Sequence, residues 1–538
     1  MRLSPFSSTL GHALLGAAVL WMALPPLGRW LWPLAWVAPV WWILLIRPEQ
    51  LAGRRPYRAL ALAGFLFWMA ALHWLRLPHW ATSFGWIALS LYFAFYLPVF
   101  VGLSRVAVHR LRLPVILAAP IVWTGLELAR GHLLTGMTMA SLGHTQYRWI
   151  ELIQLSDLAG AYGVSFVVML VAACLGRALP CDGRPRVFWP LAPALAVLAA
   201  VIGYGYWRTS GQYTLPGARV ALIQESIDAE IKVEDEMREE IFWRYFALSK
   251  KALDKYENVD LLVWPETMYC SPLYTFDRGV PPPEDYDAAK MPFAQWLELA
   301  AAGSRAGISE TARRLESAMI LGVDRQHFGS DGTRRFFNSA VYVGQNGELL
   351  GDYDKIHRVM FGEYVPFAEY FPWLHRLTPL SVSVTPGSSP AAFELAEVTF
   401  SPNICFETVL PHVIRRQVNR LRARGTEPDV LVNLTNDGWF RGSSELDMHL
   451  VCGVFRAVEC RKPLLIAANT GFSAWIDGDG RILQRGPRRA AGMILAEVCR
   501  DRRHSWYLRH GDWPAGICLA ACLMFAAVGT WQRIRQRQ

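Results

Sequence analysis

Charge is what this sequence has least of. Asp, Glu, Lys and Arg together make up 18% of 538 residues, against about 25% in a soluble globular chain, which argues against an ordinary cytosolic enzyme. No two of the nine cysteines stand in CxxC spacing, and no Cys/His ladder of metal-ligand spacing occurs. That argues against a zinc module or a disulfide-dense scaffold, and the odd number leaves at least one thiol free. There is no phosphate-cradling glycine loop and no internal repeat.

Apolar residues are abundant instead. They make up 53% of the chain, with a mean hydropathy of +0.19. The 23 Trp exceed what a soluble core of this size holds and point to membrane interfaces. The length predicts two or more domains. A net charge of +9 and a pI near 9.1 fit either nucleic acid or the cytoplasmic face of a bilayer. The basic residues sit mostly between apolar spans, which selects the membrane and no nucleic acid.

Residues 9–27, 30–46, 59–75, 84–104, 113–129, 153–176 and 187–207 read as seven apolar spans, and Trp513–Trp531 as an eighth, each about long enough to cross roughly 30 Å of hydrocarbon. The first lacks an Ala-x-Ala cleavage pattern and runs straight into the second, so it is not read as a removed signal peptide. Arg47, Arg54, Arg55 and Arg58, then Arg105, Arg110 and Arg112, then Arg177, Arg184 and Arg186, and finally Arg533, Arg535 and Arg537 all fall on one side of these spans. Basic loops are retained in the cytoplasm, so both termini are expected there and the long segment between the seventh and eighth spans on the periplasmic side. The predicted division is 1–208 membrane domain, 209–512 outer domain, and 513–538 last span with a basic tail.

The outer segment regains charge, and its apolar runs shorten to strand length. Strands are expected at Arg219–Ile223, Val259–Val263, Ala318–Val323, Ser339–Val343, Val398–Ile404, Val430–Asn433, Leu464–Ala468 and Ser473–Ile476. Helical patterns fall at Glu234–Tyr256, Pro292–Arg314, Val409–Arg424 and His449–Arg461. This alternation predicts an α/β domain. Asn346-Gly347 and Asp477-Gly478-Asp479-Gly480 carry hairpin signatures, so its sheets should be mixed.

Three residues of this segment together supply an acyl-transfer site. Glu266 follows a strand in Leu-Leu-Val-Trp-Pro-Glu-Thr, where a proline-bent loop would leave its carboxylate at a sheet edge. Lys355 lies among aromatics, glycine and proline. Cys405 ends a strand and opens an apparent helix, a setting that favours thiolate. Taken singly, each has a plain alternative: a solvated acid, a surface ammonium paired with Asp352 or Asp354, and a buried structural cysteine. Taken together, a carboxylate can accept the thiol proton and a sulfur can attack a carbonyl. An ammonium, with the Phe406 backbone N–H, can stabilise the oxyanion. Glu363 and Glu407 stand near Lys355 and Cys405 in sequence, either to position the lysine and tune charge or as solvated acids. Glu127 and Arg130, three apart on one helix face at the end of the fifth span near the outer membrane boundary, either grip a lipid headgroup or form a structural ion pair.

The order Trp264-Pro-Glu266, Tyr353-Asp-Lys355 and Ile404-Cys-Phe-Glu407 resembles the nitrilase superfamily with its Glu-Lys-Cys triad. Set between seven spans and one more, it resembles the apolipoprotein N-acyltransferase family. That resemblance extends to Glu127-Leu-Ala-Arg130-Gly131, Gly160-Ala-Tyr-Gly163, Phe361-Gly-Glu-Tyr364-Val-Pro366, Asn436-Asp437-Gly-Trp439-Phe440, and the helix of His449, Arg456 and Glu459. It implies an α-helical polytopic membrane domain joined to a nitrilase-like α-β-β-α sandwich, in a bacterial inner membrane. The implied triad is Glu266 as general base, Lys355 as oxyanion stabiliser and Cys405 as nucleophile, with Tyr364 among the substrate-binding residues. The implied reaction moves an acyl group from a phospholipid through a Cys405 thioester to the α-amine of a diacylglyceryl-modified apolipoprotein, with no cofactor and no metal. The sequence departs from the family at Gln224-Glu225-Ser226-Ile227, at Lys232-Val233 where a Lys-Trp pair is usual, and at Phe406 where Tyr is common. A membrane-tethered amidase or nitrilase would use the same triad with water as acceptor. A non-enzymatic transporter or receptor would instead show repeated or broken helices.

Overall fold

The computed structural model of the chain describes residues 8–181, 185–228, 235–283, 286, 291–368, 370, 371, 373, 374 and 383–536. Arg184, Lys232, Val233, Glu234, Glu284 and Arg537 lie outside these residues. The chain divides into two compact units. One comprises Met1–Gln212, Val458–Cys460 and His504–Gln538, the other Tyr213–Ala457 and Arg461–Arg503.

The first unit is helical. Among the described residues five helices are long and apolar enough to cross a membrane: Gly28–Ile46, Thr82–His109, Ser156–Ala178, Leu191–Thr209 and Trp513–Arg535. Thr9–Ala23 and Pro56–Ala71 are apolar but shorter. Val115–His132 carries Glu127 and Arg130 within it. Their shared core includes Leu20, Trp42, Ile43, Phe100, Val122 and Val168. Leu91, Leu195, Ile517 and Leu523 are at least half exposed, a surface costly in water and natural in hydrocarbon. Helix contact is close where side chains are small: a Cβ on Gly125 would lie 2.8 Å from the Cys518 carbonyl oxygen.

The second unit holds two six-stranded sheets. The strands are β1 (Thr214–Gln224), β2 (Leu261–Phe276), β3 (Ala318–Phe328), β4 (Arg334–Val343), β5 (Leu349–Asp354), β6 (Phe393–Leu395), β7 (Val398–Ile404), β8 (Val430–Thr435), β9 (Leu464–Ala468), β10 (Ala474–Ile476), β11 (Ile482–Arg485) and β12 (Gly492–Asp501). Their orders are β12-β1-β2-β3-β4-β5 and β11-β10-β9-β8-β7-β6. In each sheet three adjacent strands are parallel, β1-β2-β3 in one and β7-β8-β9 in the other. Antiparallel strands flank both sets. The mixed sheets and both predicted hairpins are present: Gly347 and Gly480 take φ of +83° at the β4–β5 and β10–β11 turns.

Alternate residues of the two sheets meet in one core. Val220, Leu222, Val263 and Ile320 pack with Phe400, Ile404, Val432 and Leu465. The Arg238–Lys255 and Phe293–Leu315 helices cover the first sheet's other face, setting Ile241, Tyr245, Ile308 and Ala312 on Ile223, Leu262, Trp264 and Leu321. On the second sheet Gln417, in the Pro411–Ala423 helix, donates to Ser401 Oγ at 2.7 Å and to the Pro402 carbonyl at 2.8 Å. Gly453 lets the Glu445–Cys460 helix lie against Ile466 and Leu464. The layers are therefore α-β-β-α.

The structure adds β5, β6, β11 and β12 to the eight expected strands. β5 and β11 are largely uncovered and β6 is three residues long, so these three lack the apolar run that marks a buried strand, whereas β12 has one at residues 493–496 that was not among the expected strands. It also extends β2 through Pro265 and Glu266, where a loop was expected.

Candidate active site

Glu266 owes its position to a defect in β2. Pro265 has no N–H for the ladder, Thr267 takes φ of +53°, and the register with β3 shifts between Trp264 and Tyr269. A Cβ on Gly322 of β3 would lie 2.2 Å from the Pro265 carbonyl oxygen and 2.7 Å from the Glu266 Cα, so only glycine admits this bulge. The carboxylate is buried and held at both ends. Its Oε1 accepts Asn338 Nδ2 from β4 at 2.6 Å and its Oε2 accepts the Asn436 backbone N–H after β8 at 2.8 Å.

Lys355 follows β5 with its N–H bonded to the Asn338 carbonyl at 2.8 Å. Its buried ammonium donates to Glu363 Oε1 at 2.8 Å and lies 3.6 Å from Glu266 Oε1. Burial opposes that charge, but Glu363, Cys405 and Glu266 together hold its pKa above the ordinary lysine range. Glu363 Oε2 accepts the Val359 N–H at 2.9 Å, and Asn338 reaches Glu363 at 3.3 Å.

Cys405 stands at the carboxyl end of β7, where a parallel strand opens into a site. Its φ is +51°, a left-handed strain rare outside glycine that marks functional turns. The cysteine opens a five-residue 3-10 turn, Cys405–Val409, and the α-helix begins only at Pro411. This corrects the expected helix start at the cysteine. Burial, then the Glu266 charge, push the Cys405 thiol above its usual pKa while Lys355 pulls it down, a balance opposite in direction to the one a helix start alone would give.

Glu407 is a clamp. Fully buried, it accepts the backbone N–H groups of Ile356 and His357 at 2.9 Å each through Oε1, and that of Ile404 at 2.7 Å through Oε2. The Tyr353 hydroxyl lies 2.9 and 2.8 Å from its two oxygens. One carboxylate thus ties the segment after Lys355 to the residue before Cys405. Burial raises its pKa against the pull of the His357 and Ile404 N–H groups. The Phe406 ring stacks on His357 at 6.4 Å.

The Cys405 carbonyl accepts Asn433 Nδ2 at 3.1 Å and lies 3.2 Å from His449 Nε2. His449 Nδ1 lies 3.2 Å from Asp437 Oδ1, which also accepts the Thr435 hydroxyl at 2.8 Å. Asp437, Glu445 and His449 offer ligand-type atoms within 4.8 Å of one another, and the Asp437–His449 separation is that of a hydrogen bond.

The structure thus gathers Glu266, Lys355, Cys405, Glu363 and Glu407. Tyr364 is adjacent to Glu363 in the chain, its ring under the Arg358 guanidinium at 4.3 Å. Glu127 and Arg130 belong to the helical unit. Glu127 Oε1 accepts Trp123 Nε1 at 3.0 Å and the Leu142 N–H at 2.8 Å. Arg130 donates to Ser141 Oγ at 2.8 Å, lies over Trp68 at 5.0 Å and is 4.0 Å from Glu127. Both line a small cavity of about 50 Å³ with Trp42, Phe67 and Tyr96. Sequence reasoning gave no role to Asn338, Tyr353 or Asn433. Asn338 is a lone amide inside an apolar strand, and that incongruity was its only signal.

Two family models match the chain: the apolipoprotein N-acyltransferase N-terminal domain over residues 16–174 and carbon-nitrogen hydrolase over residues 219–507. The chain is 32% identical to an apolipoprotein N-acyltransferase of Rhodopirellula baltica over 97% of both proteins. It is 34% identical to that of Geobacter metallireducens over 96% of this chain and 94% of the relative. The Vibrio cholerae enzyme of the same name is 27% identical over 94% of each.

Proposed function

Because this chain belongs to the apolipoprotein N-acyltransferase family, and so N-acylates lipoproteins at a membrane, we propose that it does so through an acyl thioester on Cys405 drawn from a phospholipid. Glu266 takes the thiol proton as sulfur attacks the ester carbonyl. The Lys355 ammonium and the Phe406 N–H hold the oxyanion, a contribution of about 3 kcal/mol for each well-placed donor. The C–O bond then breaks, the lysophospholipid oxygen takes the proton back from Glu266, and an acyl–sulfur bond remains. In the second half the α-amine of a diacylglyceryl-cysteine attacks that thioester. An amide forms, the carbon–sulfur bond breaks, and the amine proton passes through Glu266 to the leaving sulfur. The observation that carries this reading is the convergence on one site of the buried Lys355 ammonium, 3.6 Å from Glu266, and the buried Cys405 thiol, on which both charges act.

Glu363 and Glu407 position the lysine and the nucleophile turn, and Tyr364 borders the substrate. The eight spans are read from the apolar runs, and the outer placement of 209–512 in the periplasm and the cytoplasmic termini from the arginine-rich loops between them; spans of this kind hold the chain in the membrane, where both lipid substrates reside. Glu127 and Arg130 act as a structural pair anchored by the bonds of Glu127 Oε1 to Trp123 and Leu142 and of Arg130 to Ser141 within the helical unit. The test is to supply phospholipid and a diacylglyceryl-cysteinyl peptide. An N-acyl amide on the peptide is expected, and free fatty acid as sole product would refute the proposal.

A further inference from the structure

A peptide bond is planar and trans, so its C=O and N–H point in opposite directions. Whatever grips the Cys405 carbonyl therefore aims the Phe406 N–H. Two side chains grip it, Asn433 at 3.1 Å and His449 at 3.2 Å. The grip matters because Cys405 sits at φ +51°, a conformation a non-glycine residue leaves when nothing holds it.

His449 is itself held. A carbonyl and a carboxylate both only accept hydrogen bonds, so the ring satisfies Cys405 and Asp437 together only with both nitrogens protonated. Burial disfavours that imidazolium, yet the Asp437 carboxylate and the Cys405 carbonyl outweigh burial and raise its pKa. The side chain is 3% exposed, and Asp437 is fixed in turn by Thr435.

We propose that His449 is a positioning residue for acyl transfer: its Nε2–H pins the Cys405 carbonyl so that the Phe406 N–H faces the reacting acyl oxygen. The inference rests on the Cys405 thioester reading. His449 touches no substrate; it acts through the peptide it orients.

The test separates oxyanion chemistry from thiol reactivity in the full-length, membrane-inserted protein. Loading of Cys405 from phospholipid passes through an oxyanion, whereas alkylation of the same thiol by iodoacetamide does not. In His449→Ala, loading is expected to fall about 100-fold, the loss expected on removal of one oxyanion donor, with alkylation unchanged. Gln places its amide nitrogen where imidazole has Nε2, and Asn where it has Nδ1. His449→Gln should therefore restore most of the loading rate and His449→Asn should not. Wild-type loading in all three variants overturns the proposal. So does equal rescue by Asn and Gln, or a parallel fall of loading and alkylation. Wild-type protein that carries no acyl group on Cys405 defeats the underlying thioester reading, and this inference with it.

Discussion

Glu407→Gln removes one oxygen from a side chain that four donors address. The Gln carbonyl can keep the three donors at Oε1, namely the N–H groups of Ile356 and His357 and the Tyr353 hydroxyl. Its NH₂ then opposes the Ile404 N–H, now 2.7 Å from a carboxylate oxygen. The opposite amide orientation is worse, because it would abandon two backbone donors instead of one. Leaving one buried donor unmet costs about 2 kcal/mol, which is about 30-fold in the population of the aligned state. The Ile404–Cys405 peptide carries the proposed nucleophile, so that loss should appear directly in the rate at which phospholipid loads Cys405 in a single turnover. Glu407→Ala leaves all four donors unmet and should be worse still. Wild-type loading in Glu407→Gln would refute the clamp. Complete loss with an unchanged thermal unfolding midpoint would refute it too, since that is the signature of a proton-transfer group rather than a support.

The raised thiol pKa has a sign that can be measured. Below its pKa Cys405 is a neutral thiol, so its rate of alkylation should still be climbing through pH 9, the ordinary value for cysteine; a plateau on the acid side of that value would contradict the electrostatics. Gly322→Ala should push on Pro265 and Glu266 in the β2 bulge, costing about 1–3 kcal/mol of stability and slowing acyl transfer. Cys405 alkylation serves as the control, and an unperturbed transfer rate would show that the bulge tolerates a Cβ.

Much of the second unit was legible because its central strands are apolar runs between amphipathic helices. β7 and β9 fall on their expected residues, and both Gly-containing turns close the hairpins their sequences imply. The departures cluster at the site. Pro265 reads as a strand terminator, yet β2 continues beyond it because β3 supplies a glycine at the point of contact, a long-range fact. Cys405 reads as a helix start because apolar and helical residues come after it, but Pro411 is where the helix can begin, and the turn before it is strained. From its neighbours alone Glu407 reads equally as a positioning group or a solvated acid; its partners at Tyr353, Ile356 and His357, which decide the matter, are some fifty residues away. In the helical unit five of the eight expected spans fall, among the described residues, on helices long and apolar enough to cross a membrane, while the internal partners of Glu127 and Arg130 belong to packing that no local pattern encodes.

The central claim is tested most directly by incubating the full-length protein with phospholipid in the absence of an acceptor, then mapping the acyl adduct by peptide mass spectrometry. The account predicts one fatty-acyl mass on the peptide bearing Cys405, labile to hydroxylamine, absent from Cys405→Ala and discharged as an amide when a diacylglyceryl-cysteinyl peptide is added. An adduct on another residue, or N-acylation by Cys405→Ala, would contradict it.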